Sequence, residues 1–345
     1  MTSPVYARVG PGVVAWFRGH RILRWRLEVT VLAVAMVVVT YALSSWPGTV
    51  GPGRTPAPLH RSASGLVATD SFDRPVPYRT LEDRYVFNGS AQPGTGYAYA
   101  SATGLDVGVK PHAGWAGWFA VTIHAASPQV VWHTVMSRPG RPSTGGTGEA
   151  VFAVQTATTQ HNGAINYVVV ASVSRNGLTH WLVGYAHGEV ADADTEVLWQ
   201  SPDRADSPTS EPVTVTTDGR HQIAVWLGDQ EVYRSSDLQL DIPPPFQAYL
   251  EVQGQNEGYV SRFQDFWIAR AAALQVRGIP AGASVTLVHG GQTIASASAD
   301  REGTARLALP APQAVGVADL VVASARSRRT YDQLSYAAGD VLVAG

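Results

Sequence analysis

Eighteen consecutive residues without a charged side chain, Val29–Trp46 (VTVLAVAMVVVTYALSSW), constrain this chain more than any other feature. At about 1.5 Å per residue, a helix of that length covers most of a hydrocarbon core of about 30 Å, and its Thr and Ser hydroxyls can bond their own backbone. A cleaved secretory signal has a shorter apolar stretch, about 7–15 residues, followed by a small-residue cleavage site, whereas Trp46-Pro47 stands at this exit. The run is therefore expected to be an uncleaved transmembrane helix. Arg8, Arg18, Arg21, Arg24 and Arg26 precede it, and only Arg54 and Arg61 follow nearby. Basic flanks resist translocation, so the amino terminus is expected in the cytoplasm and the remainder outside the plasma membrane. Trp16, Phe17 and Trp25, interleaved with the arginines, suit the inner headgroup layer.

Five of the 25 Lys+Arg and one of the 27 Asp+Glu precede the run, which leaves the outer part with a net charge of about −6. Such a surface has no electrostatic grip on phosphates, so nucleic acid is excluded as a partner. The chain has no cysteine, and external domains without disulfides must stand on core burial. Lys110 is the only lysine, while Arg, Ala, Val and Gly abound, a bias that resembles high-GC actinobacterial proteins.

Beyond the basic tail (1–28) and the helix (29–46), residues 47–68 are rich in Pro, Gly and Ser and predict an extended stalk. From 69 to 271 short alternating runs recur at about ten-residue intervals: WFAVTIH (118–124), VVWHTVM (130–136), VFAVQT (151–156), INYVVVASV (165–173), THWLVGY (179–185) and QAYLEV (247–252). HQIAVWL and EVYRS flank Gly228-Asp229, a pair suited to a two-residue hairpin. This pattern predicts an antiparallel β-sandwich, with Trp132, Trp226 and Trp267 in its core. From 272 to 345 the tryptophans vanish, and VTLVHGGQTIASASADREGTARLAL predicts three strands separated by Gly-Gly and Asp-Arg-Glu-Gly turns. This second, small sandwich is expected to pack on the first, because about 74 residues bury little surface alone.

The opening Asp70-Ser71-Phe72-Asp73-Arg74, the hairpin ending Val232-Tyr233-Arg234-Ser235 and the closing Phe263-Gln264-Asp265-Phe266-Trp267 resemble the concanavalin A-like lectin/glucanase superfamily, in its laminin-G-like sense. The resemblance implies a lectin-like jelly roll whose first and last strands pair. It also implies a structural calcium ion near Asp70, Asp73 and Asp265. The tail segment resembles the immunoglobulin-like or transthyretin-like sandwiches of extracellular bacterial proteins. The superfamily spans lectins, glycosidases and spacers, so fold alone does not assign function.

Family 16 glycosidases of that superfamily place three carboxylates at alternating positions of one strand, and Asp192, Asp194 and Glu196 have that alternation. The resemblance departs from the family pattern in starting with Asp rather than Glu, and the stretch follows His187-Gly188 in a polar connection, which reads as an exposed loop. Aromatic planes that stack on sugar C–H faces are the stronger signal. Tyr97 with Tyr99, Trp181 with Tyr185, and Trp115 with Trp118 are the candidates, set against core packing. The scattered histidines lack ligand spacing for zinc, and no nucleophile elbow or phosphate loop is present. The expected activity is carbohydrate binding in the bacterial cell envelope, as an accessory to membrane glycan-synthesis proteins. A glycoside hydrolase and a non-catalytic spacer are the alternatives.

An alkaline phosphatase fused at Gly345 should be active, and the full chain should stay in the membrane pellet at alkaline pH; replacing Val37-Val38-Val39 with arginines should release it.

Overall fold

Alternating apolar positions become strands wherever the sequence places them, because each strand can then turn one face to a dry interior. The computed structural model describes residues 58–70, 72, 86–89, 96–101, 103–109, 115–123, 130–138, 147–156, 166–187, 194–205, 207–244, 246–254 and 258–344. The basic tail and the run 29–46 lie outside these, and no helix among the described residues is long and apolar enough to cross a membrane. The described chain is all-β, apart from one 3₁₀ turn at Ala311–Gln313.

Two large antiparallel sheets face each other. The seven-stranded sheet has the order β11 (Asp194–Gln200), β10 (Leu178–His187), β9 (Tyr167–Arg175), β8 (Thr147–Thr156), β15 (Phe246–Gly254), β6 (Trp115–Ile123) and β3 (Val86–Gly89). The eight-stranded sheet runs β14 (Gln230–Ser235), β13 (Ile223–Leu227), β12 (Ser210–Thr217), β7 (Val130–Ser137), β16 (Tyr259–Ala269), β5 (Gly104–Val109) and β4 (Gly96–Ser101). Its eighth strand, β2 (Leu66–Asp70), pairs with the second half of β16. Asp70 stands opposite Phe266, so the opening and closing segments of the sandwich are neighbours. Phe152, Val170, Val183 and Leu250 from one sheet meet Leu105, Trp132, Met136 and Phe263 from the other in one core. Trp132 sets its ring edge-on to Phe246 at 6.3 Å.

Glycine is required under the Tyr259 ring: Gly148 and Gly254 stand opposite each other, and a Cβ on either would lie 2.4 or 2.1 Å from that buried ring. The Gly228-Asp229 hairpin forms as expected, with Leu227 opposite Gln230 and Gly228 at φ +57. Trp226 differs from expectation. It is only half-buried, and the Arg234 guanidinium lies over its ring at 5.6 Å, a cation–π pair at the rim rather than core packing.

Two four-stranded sheets complete the fold. One has the order β1 (Leu59–Ala63), β23 (Val341–Ala344), β17 (Ala273–Arg277) and β20 (Ala305–Ala308). The other runs β19 (Gln292–Ser298), β18 (Ser284–His289), β21 (Val315–Ser324) and β22 (Ser327–Ala337). Leu274, Val285, Leu307 and Leu320 form their shared core, which also takes in Val131, Trp267 and Ala269 from the eight-stranded sheet. The expected packing of small sandwich on large is thus a continuous apolar seam.

The expected stalk at 47–68 is corrected in its second half. Leu59–Ala63 and Leu66–Asp70 are strands, because β23 and β16 offer backbone edges whose hydrogen-bonding groups would otherwise stay unpaired. The small sandwich is therefore discontinuous, built from 272–344 and closed by β1 from ahead of the large one. Asp340, 1% exposed, locks this closure. Its Oδ1 accepts the Gly65 N–H at 2.7 Å, its Oδ2 accepts the Ala337 N–H at 2.9 Å, and the Arg61 guanidinium lies 3.1 Å away. A Cβ at Gly65 would lie 2.1 Å from the Ala338 carbonyl oxygen.

His133 stacks on Trp267 at 4.7 Å beside the seam and shares a 2.8 Å hydrogen bond with the Thr214 hydroxyl. Burial lowers its pKa from 6.5 to about 4. The unfolded chain protonates this ring below about pH 6.5, and the folded chain only near pH 4. Stability is therefore complete above the upper value and is lost as the pH falls through that window, by on the order of 3 kcal/mol.

Denaturant titrations between pH 7 and pH 4 should show this loss in the wild type and a shallower slope in His133→Gln. Asp340→Ala, which strands two buried N–H groups, should cost about 2–3 kcal/mol in the same assay.

Candidate functional site on the seven-stranded sheet

Alternation sends Val168, Val170, Trp181, Val183 and Tyr185 into the core, so the intervening residues of β8, β9, β10 and β15 line the outer face. On that side Val151, Ala153, Val169, Ala171 and Val173 form a buried layer of small apolar side chains, with the partly buried Tyr167 and Leu182 packed against it. Four ionisable or aromatic groups share this face: Glu149, Glu251, Tyr167 and His180.

Register fixes their spacing. Glu149 stands opposite Gln253 on one side and Val173 on the other, and Val173 stands opposite His180. Glu251 stands opposite Val151, two residues along from the Gln253–Glu149 pair, so the two glutamates are diagonal neighbours on adjacent strands. Diagonal positions on one sheet face put Cα atoms about 7–8 Å apart. Tyr167 lies further along β9, opposite Gln155.

The electrostatics tie the four together. Burial pushes the Glu149 carboxyl above the usual carboxylate range, and the charge of His180 pulls it partly back. The Tyr167 phenol is raised first by burial, then by the negative charges of Glu251 and Glu149. Glu251 is only 5% exposed and Gln155 only 7%, a depth at which polar groups cost stability unless they are used. His180 shares a 2.8 Å hydrogen bond with Asp203, in which the ring N–H must donate, because a carboxylate only accepts. Asp203 is itself placed by its neighbour: Arg204 and Thr179 exchange backbone hydrogen bonds of 2.9 and 2.8 Å. The arrangement combines a carboxyl whose pKa is raised by burial, a second carboxyl, a phenol and an oriented imidazole over a non-polar layer.

The sequence-derived candidates lie elsewhere. Trp181 and Tyr185 are core residues, 5% and 8% exposed, and the Tyr185 hydroxyl accepts the Asp241 N–H at 3.1 Å. They form no platform, because β10 turns them to the interior. Tyr99, 56% exposed, stands on β4 of the other sheet opposite Asp106, whose two carboxylate oxygens accept from Nε and Nη2 of Arg262. Tyr97 precedes it on the same strand, opposite Gly108. Trp115 and Trp118 lie on β6, opposite Gln253 and Leu250. The six aromatic candidates are thus divided between two sheets and the core.

Asp192 lies outside the described residues, whereas Asp194 and the exposed Glu196 belong to the edge strand β11, opposite His187 and Tyr185. The stretch expected as a loop is a strand from Asp194 onward. Of the calcium candidates, Asp70 accepts the Phe72 N–H at 3.0 Å, Asp265 lies 4.0 Å from His133, and Asp73 is outside the described residues. Among the described residues no group of three or more His, Asp or Glu gathers as for a metal ion.

Glu149 and Glu251 were missed among the candidates. The available signal was a carboxylate inside an apolar run, as in AYLEV and GEAVFAV, where a strand has no reason to carry charge unless its outer face uses it.

No family model and no curated protein matches the chain. Solved structures similar to it include LamAcat from Zobellia galactanivorans, at 9% identity and TM-score 0.41 over 59% of this chain and 97% of that one. An endo-1,3-β-glucanase from Streptomyces sioyaensis has 10% identity and TM-score 0.39 over 64% and 99%. The carbohydrate recognition domain of Emp46p has 7% identity and TM-score 0.40 over 60% and 96%.

Proposed function

We propose that the chain is a carbohydrate-binding protein of the cell envelope, held in the plasma membrane by residues 29–46 with its sandwiches outside. The glycan lies on the outer face of the seven-stranded sheet. The observation that carries this reading is the gathering of Glu149, Glu251, Tyr167 and His180 over the valine and alanine layer. Carboxylates, with the amide of Gln253, match the paired hydroxyls of a sugar, while the partly buried Tyr167 ring matches its C–H face. The resemblance to lectin-like sandwiches, with a small immunoglobulin-like or transthyretin-like companion, agrees with this role. So does an accessory place beside membrane proteins that assemble cell-wall or extracellular polysaccharide, since tethering raises the local concentration of a weak binder.

A second reading, glycoside cleavage, is favoured by one observation: burial holds the Glu149 carboxyl protonated toward higher pH, beside the diagonal Glu251. A raised carboxyl is the general acid such a reaction needs, and a second carboxylate several ångströms away is the base or nucleophile. The pair replaces Asp192, Asp194 and Glu196 as the candidate.

The test is a glycan array of wall and extracellular polysaccharides, probed with the detergent-solubilised full chain with and without Ca²⁺. Binding is expected, weakened at least tenfold by Tyr167→Ala and by Glu251→Gln. Glu149→Gln should keep the binding and abolish any release of reducing ends. Unchanged affinity in the first two variants would remove this face as the site, and a blank array for the wild type would make the chain a spacer.

A further inference from the structure

The small sandwich has two poles. One, carrying Gly65 and Asp340, joins the large sandwich through Arg270, whose N–H bonds the Gly65 carbonyl at 2.8 Å. The register places the chain's entry at the other. Leu59, the first residue of β1, pairs with Ala344, while Val343 pairs with Arg277 at the end of β17. Three connections meet at this same pole. These are 278–283 between β17 and β18, 299–304 between β19 and β20, and the hairpin between β21 and β22, where Ser324 stands opposite Ser327. Backbone hydrogen bonds from Ile279 to Gly303 and from Gly282 to Ala299 hold the first two together.

Arginines crowd this pole. Arg277 ends β17, Arg301 lies in the second connection, and Arg326, Arg328 and Arg329 occupy the hairpin and the start of the edge strand β22. All five are exposed, and among the described residues none is in an ion pair. The acidic residues there are Asp300, whose Oδ1 accepts the N–H groups of Glu302 and Thr304, and Glu302. Positive charge therefore dominates one end of a chain whose outer part is otherwise negative. Arg277 donates to the Gln275 side-chain oxygen at 3.0 Å, but a folded domain gains little internally from five guanidinium groups outside any ion pair at one end, because like charges repel; they fit an anionic surface outside it.

We propose that this pole docks on anionic phospholipid headgroups. The covalent chain argues for that occupant. Residues 47–58 separate the uncharged run 29–46 from Leu59, and twelve residues reach at most about 40 Å. If the run is the anchor, as proposed above, the bilayer lies within reach of the arginine pole, and guanidinium groups bind phosphate in bidentate fashion. The docking would hold the small sandwich against the membrane and direct the large one outward.

The absence of cysteine allows a direct test. A single Ser327→Cys, labelled with a fluorophore, reports on the hairpin in full chain reconstituted into vesicles that carry a headgroup-attached quencher. Quenching should be at least twofold stronger with about one-third phosphatidylglycerol than in pure phosphatidylcholine, since exposed charge pairs are screened by salt and need an anionic partner. It should fall to the neutral-lipid level in 1 M salt and in the triple variant Arg326→Glu/Arg328→Glu/Arg329→Glu. The double variant Arg277→Glu/Arg301→Glu should weaken it partly. A label at Asp229→Cys, on the large sandwich, should remain unquenched. Equal quenching in both lipids, or quenching untouched by both variants, overturns the proposal. So does a hairpin that responds only to a soluble anionic polymer. Resistance to alkaline extraction reads the anchor separately. If the chain fails to insert, quenching of the added protein by phosphatidylglycerol vesicles keeps the docking surface and removes only the anchor; its absence removes both.

Discussion

A single change of phase in β16 holds the described chain together. Gln264 pairs with Val135 and Trp267 with His133, so two residues, Asp265 and Phe266, stand where β7 has only Thr134. Asp265 takes φ +48 to make this bulge, and the Thr134 hydroxyl bonds the Gln264 carbonyl at 3.0 Å across it. Before the bulge Phe263 faces the large core; after it Phe266 and Ile268 do, while Trp267 and Ala269 turn outward. At the same point β16 exchanges its neighbour β5 for β2. Without the extra residue, strict alternation would point Phe266 out and Trp267 in, and the seam to the small sandwich would lose its largest side chain.

That seam makes the two sandwiches one structure. Trp267 and Ala269 belong to the small core, His133 is stacked beside them, and Asp340 fastens the chain's first described strand to its last. The ends of the compact unit Ala57–Gly345 are thereby tied at the small sandwich, away from the seven-stranded sheet. The outer face bearing Glu149 and Glu251 takes no part in the seam.

Polar groups show the same division of labour. At the closure, the Asp340 oxygens accept backbone N–H groups and an arginine lies alongside, a fully engaged network that serves stability. On the outer face, burial raises the pKa of the Glu149 carboxyl, and burial together with the charges of Glu251 and Glu149 raises that of the Tyr167 phenol. Such perturbation marks functional ground more often than structural ground.

Local pattern alone determined much of this protein. The alternating runs, the Gly228-Asp229 hairpin, the Gly-Gly and Asp-Arg-Glu-Gly turns and the two-sandwich plan follow from period-two burial and turn chemistry, which are properties of a few adjacent residues. The candidate site was legible only in fragments. AYLEV shows a misplaced charge, but nothing in it says that Glu251 lies diagonal to Glu149, about a hundred residues earlier, because strand order is non-local. Trp181 and Tyr185 looked like a platform because alternation tells that two residues share a face without telling which face is dry. Leu59–Ala63 looked like a stalk because its own side chains bury little; it is a strand because β23, at the far end of the chain, leaves a backbone edge for it. Pairing partners, the phase shift at Asp265 and the gathering of arginines at one pole were decided by tertiary structure, since each depends on hydrogen bonds and contacts between residues far apart in the chain.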